Sequence, residues 1–311
     1  MSQPMIETQE LTKIYEDITA VNHLNLAVNE GEIFGFLGPN GAGKTTTILL
    51  LMGLSVPTFG TATVGGYDII KESKEVRRIA GQLPEFAGYY GDLTAEQNLD
   101  YVGRLNDLSR TERERRIAEL LEDVGLTEWK DMKVEKFSRG MKQRLGIAQA
   151  LIKRPKLVFF DEPTIGLDPA GTKEIRDMIL KLNKDQGLTV FVSSHLLHEV
   201  QLTCRRVGII NRGRLVVTDT IENLTKGLTG EEGKSIEFKL HKTTPELLEE
   251  LETIDGVTSV NQDKDRLYVH MERDSTMEVS QTIVKHGALI LLMKPREYTL
   301  EEIYMEYYQE T

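Results

Sequence analysis

A glycine-rich turn between an apolar run and a helix-forming run restricts the fold of this chain more than any other feature. The apolar run covers residues 33–37 and the helix-forming run covers residues 46–52. The turn between them consists of Gly38, Pro39, Asn40, Gly41, Ala42, Gly43, Lys44 and Thr45. Glycines let backbone N–H groups approach phosphate oxygens, and the positive N-terminal end of a helix attracts an anion. A strand, this turn and a helix in that order predict a phosphate-binding α/β domain.

The polar side chains of the turn indicate which phosphate compound it binds. We expect Lys44 to reach the β and γ phosphates of ATP and the Thr45 hydroxyl to ligate Mg²⁺. Thr46, the first residue of the predicted helix, is placed with the turn among the ATP-binding residues. The alternative is a glycine-rich turn of purely structural role, but a random chain of this length would match the pattern only about once in a hundred times.

Two carboxylates follow a second apolar run, at residues 157–160. Open α/β folds bind ligands at the carboxyl ends of their strands, which is where Asp161 and Glu162 would lie. We expect Asp161 to hold Mg²⁺ indirectly and Glu162 to orient or deprotonate the attacking water. The alternative is an acidic strand end without a catalytic role.

The composition limits the partners and the compartment. The chain of 311 residues holds 38 Lys plus Arg and 49 Asp plus Glu, a formal charge of -11, so the overall charge does not suggest a nucleic-acid partner. Cys204 is the single cysteine and is expected to be a packing residue. The apolar runs fall far short of the roughly 20 residues of a membrane span, and the N-terminus lacks the pattern of a secretory signal. We therefore expect the chain in the cytoplasm.

The order of predicted elements divides the chain in two. Consecutive apolar runs alternate with helical patterns up to about residue 220, which predicts a mostly parallel sheet covered on both faces. The runs after the first two are residues 189–193 and 207–210. Between residues 67 and 154 the sequence is charged and has a helical period, and the mixed charges of residues 104–123 predict a solvated helix face.

The composition changes again at residues 223–233, where a linker is expected. Beyond it, a strand, a helix, two strands, a helix and a strand over residues 236–293 predict a ferredoxin-like module. Thr299 and Glu302 are spaced as a capping box, which predicts a final helix over residues 299–308.

A further loop, placed between the glycine-rich turn and the two carboxylates, is the most specific sign. It consists of Phe137, Ser138, Arg139, Gly140, Met141, Lys142, Gln143 and Arg144, and it opens a predicted helix. With this loop, residues 5–220 resemble the ATP-binding subunits of ATP-binding cassette (ABC) transporters. The resemblance implies a P-loop ABC-type ATPase domain over residues 5–222, with a helical subdomain at about residues 85–155. A small α+β, ferredoxin-like accessory domain over residues 234–311 follows, as in cassettes of drug and lipid exporters.

The resemblance assigns roles across a pair of cassettes. Two such subunits close head to tail, so Ser138 and Gly140 would meet the γ-phosphate of ATP held by the partner, and a lone subunit would be a poor ATPase. Asp168 would lie in the loop that crosses the dimer, and His195 would sense the γ-phosphate. Arg139 departs from the family, which usually has a second glycine there. Without the family, Ser138 would be an ordinary helix cap and His195 a structural histidine.

Weaker matches concern the base and the metal. Tyr15 precedes the turn at the distance of the family's adenine-stacking aromatic residue, and the alternative is an ordinary core or surface tyrosine. Glu85 stands where the family usually has a glutamine that touches Mg²⁺, and a carboxylate can keep that contact. Phe86, Tyr89 and Tyr90 are candidates for a groove that receives a permease helix, or they only pack the helical subdomain.

The function implied by the resemblance is ATP hydrolysis that powers transport, with export favoured over import. The cassette would act with separate integral membrane permease subunits, paired as a homodimer or heterodimer on the cytoplasmic face of the cell membrane. The C-terminal domain would stabilise or regulate the pair, or be inert. The rival hypotheses are a soluble cassette ATPase that remodels ribosomes or chromosomes, and a non-catalytic regulatory module.

Overall fold

The computed structural model of the protein describes residues 4–229, 234–296 and 299–309. One compact unit consists of the chain up to Asp219 together with the chain end from Tyr307, and the second runs from Thr220 to Glu306. The strands up to this boundary are β1 (Ile6–Tyr15), β2 (Ile18–Leu24), β3 (Ala27–Val28), β4 (Ile33–Leu37), β5 (Phe59–Val64), β6 (Tyr67–Asp68), β7 (Ala80–Leu83), β8 (Leu157–Asp161), β9 (Thr189–Ser194), β10 (Arg206–Asn211) and β11 (Arg214–Thr220). The helices are α1 (Lys44–Leu51), α2 (Ser73–Ile79), α3 (Ala95–Leu105), α4 (Arg110–Asp123), α5 (Arg139–Leu151), α6 (Pro169–Gln186) and α7 (Leu197–Thr203).

A six-stranded sheet in the order β11-β10-β4-β9-β8-β7 forms the centre of the first unit. Its neighbouring strands from β10 to β7 run parallel. All residues of β8 are buried, and they alternate between two apolar clusters: Leu157 and Phe159 pack in one, Val158 and Phe160 in the other. Both faces of the sheet are therefore covered, as the consecutive apolar runs predict.

A second sheet, in the order β2-β1-β5-β6 with β3 against β1, was not predicted from the sequence. Its strand pairs are antiparallel, and β1 changes register twice along β2. The burial of β1 is irregular, so neither strict alternation nor a continuous apolar run marks it in the sequence. The predicted order of buried strands and helices up to residue 220 misses this layer.

The charged region, residues 67–154, contains the strands β6 and β7, which its helical pattern did not predict, and the helix α2. From residue 95 onward it folds as the helices α3, α4 and α5. Its mixed charges fall on two helices rather than one, because α3 ends at Leu105 and Ser109 caps α4. Ion pairs one turn apart, such as Arg110 with Glu114 at 2.8 Å, lie on the exposed face, as predicted. The buried residues of these helices join the cluster that covers one face of the parallel sheet.

Cys204 is a packing residue, as predicted. It is buried, and its Sγ lies against the space where a side chain on Gly35 would point. Burial raises the pKa of its thiol well above the ordinary value, which keeps the group in its unreactive protonated form.

The second unit and the chain end contain α8 (Ile221–Thr229), β12 (Lys234–Leu240), α9 (Pro245–Glu252), β13 (Val257–Asp263), β14 (Arg266–Met271), α10 (Thr276–Lys285), β15 (Ile290–Pro295) and α11 (Leu300–Gln309). The four strands form an antiparallel sheet in the order β13-β14-β12-β15. With α9 and α10 as the connections after β12 and β14, this is the predicted ferredoxin-like arrangement. Phe238, Leu251 and Ile283 are fully buried in its core.

The linker expected at residues 223–233 is wrong in its first part, because α8 continues to Thr229. Ile221, Leu224 and Leu228 recur at helical spacing, which the linker prediction overlooked. Residues 230–233 lie outside the described residues. The capping box of α11 is confirmed: the Glu302 N–H donates to Thr299 Oγ1 at 3.2 Å, and the Thr299 N–H donates to Glu302 Oε2 at 2.8 Å.

Candidate functional site

The register of the parallel sheet decides which residues meet at its carboxyl edge. The last residue of β4 pairs with the last residue of β9, and Asp161 at the end of β8 pairs with Ser193. Gly38, Glu162 and His195 directly follow these strand ends. Because parallel strands end at the same edge of a sheet, residues far apart in sequence are brought together there.

A cleft of about 560 Å³ opens at this edge. The glycine-rich turn contributes Pro39, Asn40, Gly41, Gly43, Lys44 and Thr45 to its lining, and Thr46 follows on α1. Gly41 and Gly43 have φ angles of +81° and +106°, in the left-handed region that favours glycine. A side chain on Gly43 would also overlap the carbonyl oxygen of Ala20. At these positions the turn offers only backbone to a ligand.

Lys44 is held inside the turn by the chain itself. Its side chain is only 6% exposed, and Nζ donates to the carbonyl oxygens of Gly38 at 2.7 Å and Pro39 at 3.2 Å. The same Nζ lies 3.1 Å from Oε1 of Glu162. This contact is an ion pair without the alignment of a hydrogen bond. A buried lysine thus connects the turn to the end of β8.

Asp161 is fixed by two hydroxyl groups. It is 1% exposed, and its Oδ2 accepts a hydrogen bond from Thr45 Oγ1 at 2.7 Å. Its Oδ1 accepts one from Ser193 Oγ. Hydrogen bonds to both oxygens offset the cost of burying the carboxylate. The side chain predicted to ligate Mg²⁺ and the one predicted to hold it indirectly are therefore adjacent.

Glu162 has a strained backbone and two charged or titratable neighbours. Its φ is +52°, a left-handed value that costs a non-glycine residue roughly 1–2 kcal/mol. Its N–H donates to the backbone oxygen of Ser193 at 3.1 Å. Its side chain is 6% exposed, with Oε1 beside Lys44 and Oε2 2.8 Å from Nδ1 of His195. Strain of this kind is concentrated at functional sites, because the surroundings must hold it in place.

The residues predicted to act on a partner's nucleotide lie elsewhere. Among the described residues, Ser138, Gly140 and Asp168 are outside the lining of the cleft. Ser138 is exposed and caps α5 by accepting from the Met141 N–H at 3.2 Å. Asp168 caps α6 by accepting from the Gly171 N–H at 2.9 Å. Both make the contact of an ordinary helix cap, and their roles toward a nucleotide stay predictions.

Tyr15 and Glu85 differ in their relation to the cleft. Glu85 lines it, whereas Tyr15 is 44% exposed and is not part of the lining. Lys13 Nζ lies 4.8 Å from the centre of the Tyr15 ring, and the Tyr15 hydroxyl lies 3.4 Å from Ser55 Oγ. The structure thus brings Glu85 to the site and leaves Tyr15 at an exposed strand end.

The three aromatic residues after Glu85 do not behave alike. Tyr89 packs in the helical region, where its hydroxyl donates to the Lys142 carbonyl oxygen at 2.7 Å and burial raises its pKa. Tyr90 is half exposed and meets Tyr101 edge to face, with ring centres 4.9 Å apart. Phe86 is 82% exposed. Only Phe86 and Tyr90 remain candidates for a docking surface, because Tyr89 is accounted for by packing.

Sequence reasoning missed some residues of the site. Ser193 was considered only as the last residue of an apolar run, because the sequence does not show that the ends of β8 and β9 are neighbours. Four further lining residues come from the start of β2 and from the turn after β10: Ile18, Thr19, Ala20 and Arg212. No pattern in the sequence singles these out, because their place depends on the unpredicted antiparallel sheet and on the order of strands.

Comparisons with known proteins show the family of this chain. The profile of the ABC transporter family matches residues 21–165. The chain is 39% identical to the bacitracin transport ATP-binding protein BcrA of Bacillus licheniformis, over 97% of this chain and 96% of that protein. The chain belongs to the ATP-binding subunits of ABC transporters. This cassette is also 40% identical to the linearmycin resistance ATP-binding protein LnrL of Bacillus subtilis (strain 168), over 73% of each chain.

The solved structures similar to this cassette include a dimeric ATP-binding cassette in a post-hydrolysis state with ADP and Pi bound. The similarity has a TM-score of 0.64 and 27% identity, and it covers 70% of this chain and 99% of that chain. The cassette binds and hydrolyses ATP to power transport, and the rival hypothesis of an ATPase that acts on ribosomes is wrong. Within residues 4–229, 234–296 and 299–309, no helix is long and apolar enough to cross a membrane.

Proposed function

We propose that this cassette uses Glu162 as the general base for ATP hydrolysis and powers export through separate integral membrane permease subunits. The observation that carries the proposal is the position of the Glu162 carboxylate, which is buried at the cleft between Lys44 and His195. A general base needs a carboxylate close to the water that attacks the γ-phosphate, with its orientation fixed in advance. The left-handed backbone of Glu162 supports this role, since such strain persists only where the surroundings enforce it.

Lys44 would change partners when ATP binds. Its Nζ is occupied by two carbonyl oxygens and the Glu162 carboxylate, and phosphate oxygens would take over part of this set. Exchange of a carboxylate for a phosphate leaves the lysine paired while it frees Glu162 to accept a proton. His195 would then hold the other oxygen of Glu162 and sense the γ-phosphate from the exposed side.

The oxygens near the turn fit Mg²⁺ that enters with ATP. Thr45 and Asp161 are hydrogen-bonded to each other, and Glu85 lines the same cleft. In the described part of the chain no cluster of three or more His, Cys, Asp or Glu could hold a metal ion by itself. Mg²⁺ typically takes one or two protein oxygens together with substrate phosphates, which suits this limited set. Bound there, it would neutralise charge that develops on the phosphates.

The remaining predicted residues would act across a pair of cassettes, either two copies of this chain or this chain with a different cassette. Ser138, Gly140 and Asp168 lie outside this chain's own cleft, and a similar cassette has been solved as a dimer. Tyr15 would stack on adenine with the ring face that Lys13 leaves free. The second unit would stabilise or regulate the pair.

The names of two relatives support a proposal for the cargo and the location. One is named for bacitracin transport and another for linearmycin resistance, which supports export of an antimicrobial compound from the cytoplasmic face of the membrane. The exposed ring of Phe86 and its half-exposed neighbour Tyr90 would contact the permease.

Purification from membranes tests the proposal. The tagged full-length cassette should recover an integral membrane protein in fixed ratio, and the mixture should hydrolyse ATP only with Mg²⁺ present. A Phe86→Ser variant should lose the membrane protein while it still binds ATP, and Leu105→Ser, at another exposed apolar residue, is the matched control. Recovery of DNA or of ribosomes instead of a membrane protein would contradict the proposal.

A further inference from the structure

Arg139, which like Glu85 departs from the family pattern, touches a second loop of the same chain. A side chain placed on Gly166 would overlap the Cζ and Nη1 atoms of Arg139 and would lie 2.9 Å from its Nε. The guanidinium therefore rests on the bare Cα of Gly166. Guanidinium groups are planar and weakly hydrated, so they pack flat on such surfaces even where they are exposed.

The helix that begins at Arg139 does not stabilise its positive charge. Arg139 is the first residue of α5, where the helix end is positive and a cation is disfavoured. The first turn of α5 contains no acidic residue. Within the described ranges Arg139 makes no ion pair, and its side chain is exposed. What the structure does provide for this side chain is the contact with Gly166.

Gly166 is matched to Arg139 in two ways. Its φ is +68°, a left-handed value in which other residues are strained. The space that a side chain would need is already taken by the guanidinium. A large planar side chain at position 139 and the absence of a side chain at position 166 are therefore complementary.

The loop that contains Gly166 leads from the proposed base to the cap of α6. The Ile165 N–H donates to the Glu162 carbonyl oxygen, and the Leu167 N–H donates to the Thr164 carbonyl oxygen, both at 3.2 Å. Asp168 then caps α6. These two hydrogen bonds restrict the backbone between Glu162 and Asp168. A group in contact with Gly166 therefore affects the position of both ends of the loop.

We propose that Arg139 is a positioning residue, which fixes the loop of residues 162–168 against the first turn of α5. The surfaces at Ser138 and Asp168, which would face a second cassette, then move together. The loop of residues 162–168 transmits this movement to Glu162. This inference rests on the proposed function, because it assigns a purpose to the pairing of two cassettes.

A double-substitution cycle tests the contact. Gly166→Ala should lower kcat about tenfold, because its left-handed backbone is strained and the new methyl group displaces the Arg139 guanidinium from the loop. Arg139→Gly alone should lower kcat about threefold, and in that background Gly166→Ala should cost only about threefold more. The affinity of the isolated subunit for ATP should be unchanged in all variants, since neither residue lines the cleft. Equal effects of Gly166→Ala in both backgrounds would overturn the proposal.

Two further variants separate shape from charge. Arg139→Gln keeps a planar end group without charge and should retain most of the wild-type kcat. Arg139→Lys keeps the charge without the planar fork and should behave like Arg139→Gly. The reverse result would mean that the charge acts on the partner's nucleotide, and positioning would be wrong.

The failure of this inference is distinguishable from the failure of the proposed function. If the wild-type protein with its membrane partner does not hydrolyse ATP, the proposed function fails before any variant is compared. If the wild type is active and the cycle is additive, only the role of Arg139 is lost. Thermal melting of each variant checks that it folds, and Arg139→Gln, a change of an exposed residue, remains informative should Gly166→Ala unfold.

Discussion

The cleft and the surface formed by the starts of α5 and α6 differ in how far their polar residues are buried. In the cleft, Lys44, Asp161 and Glu162 are almost completely buried, and each is held by other residues of the same chain. At the helix starts, Ser138 is exposed, and its side chain caps its own helix.

The difference indicates which part of the site is organised within a single chain. Burial of three charged groups is costly unless they are paired, so the cleft is organised before any ligand arrives. An exposed cap involves little cost and can keep its contact while it faces another molecule. The first region is thus preorganised for chemistry and the second for association.

The largest effect should come from Glu162→Gln. Removal of the general base should lower ATP hydrolysis by about 10²–10⁴-fold, while ATP binding is retained because the side chain keeps its size. Steady-state phosphate release and nucleotide binding measure the two quantities. Glu174→Gln, a change of an exposed residue on α6, is the matched control and should have no effect. Normal hydrolysis by Glu162→Gln would break the comparison, because the buried region would then not be catalytic.

Lys44→Ala should mainly weaken binding. Loss of its charge-assisted contacts to phosphate should reduce the affinity for ATP about 10–100-fold. Glu162 would also lose its buried cation, so a lower melting temperature is expected as well. Titration with a fluorescent ATP analogue gives the affinity, and Lys181→Ala on the exposed face of α6 is the control. Unchanged affinity would show that the buried lysine serves folding alone.

Ser138→Asn sharpens the distinction between a cap and a nucleotide contact. Asparagine caps helices as well as serine does, so the stability of α5 should be kept while ATP hydrolysis falls about tenfold. The matched control is Ser109→Asn, because Ser109 caps α4 in the same way, by accepting from the Glu112 N–H at 3.3 Å. If both substitutions leave hydrolysis unchanged, Ser138 is only a cap.

The smallest effect is expected outside both regions. Thr299→Ala removes one half of the capping box of α11 and should cost about 1 kcal/mol of stability. Calorimetry should show the change in the unfolding of the second unit, and ATP binding should stay at the wild-type value. A loss of ATP binding would mean that α11 contributes to the nucleotide site.

The parts of the fold and site that sequence predicts are those with local signals. The turn from Gly38 to Thr45, the carboxylates at the end of β8 and the capping box at Thr299 each depend on residues close together in sequence, and the structure shows the turn, the strand end and the cap as expected. The antiparallel sheet escaped because β1 has irregular burial and shifting register. Ser193 and Arg212 escaped because their relevance arises only when strands distant in sequence become neighbours.

Ser193 holds both the Asp161 carboxylate and the backbone of Glu162. Its hydroxyl donates to Asp161, and its carbonyl oxygen accepts from the N–H of Glu162. In terms of evolutionary change, position 193 is constrained twice, because its hydroxyl donates to the Asp161 carboxylate and also accepts from the Glu162 N–H at 3.3 Å. Drift at the end of β9 therefore requires a compensating change at the end of β8, and the two strand ends should change together or not at all.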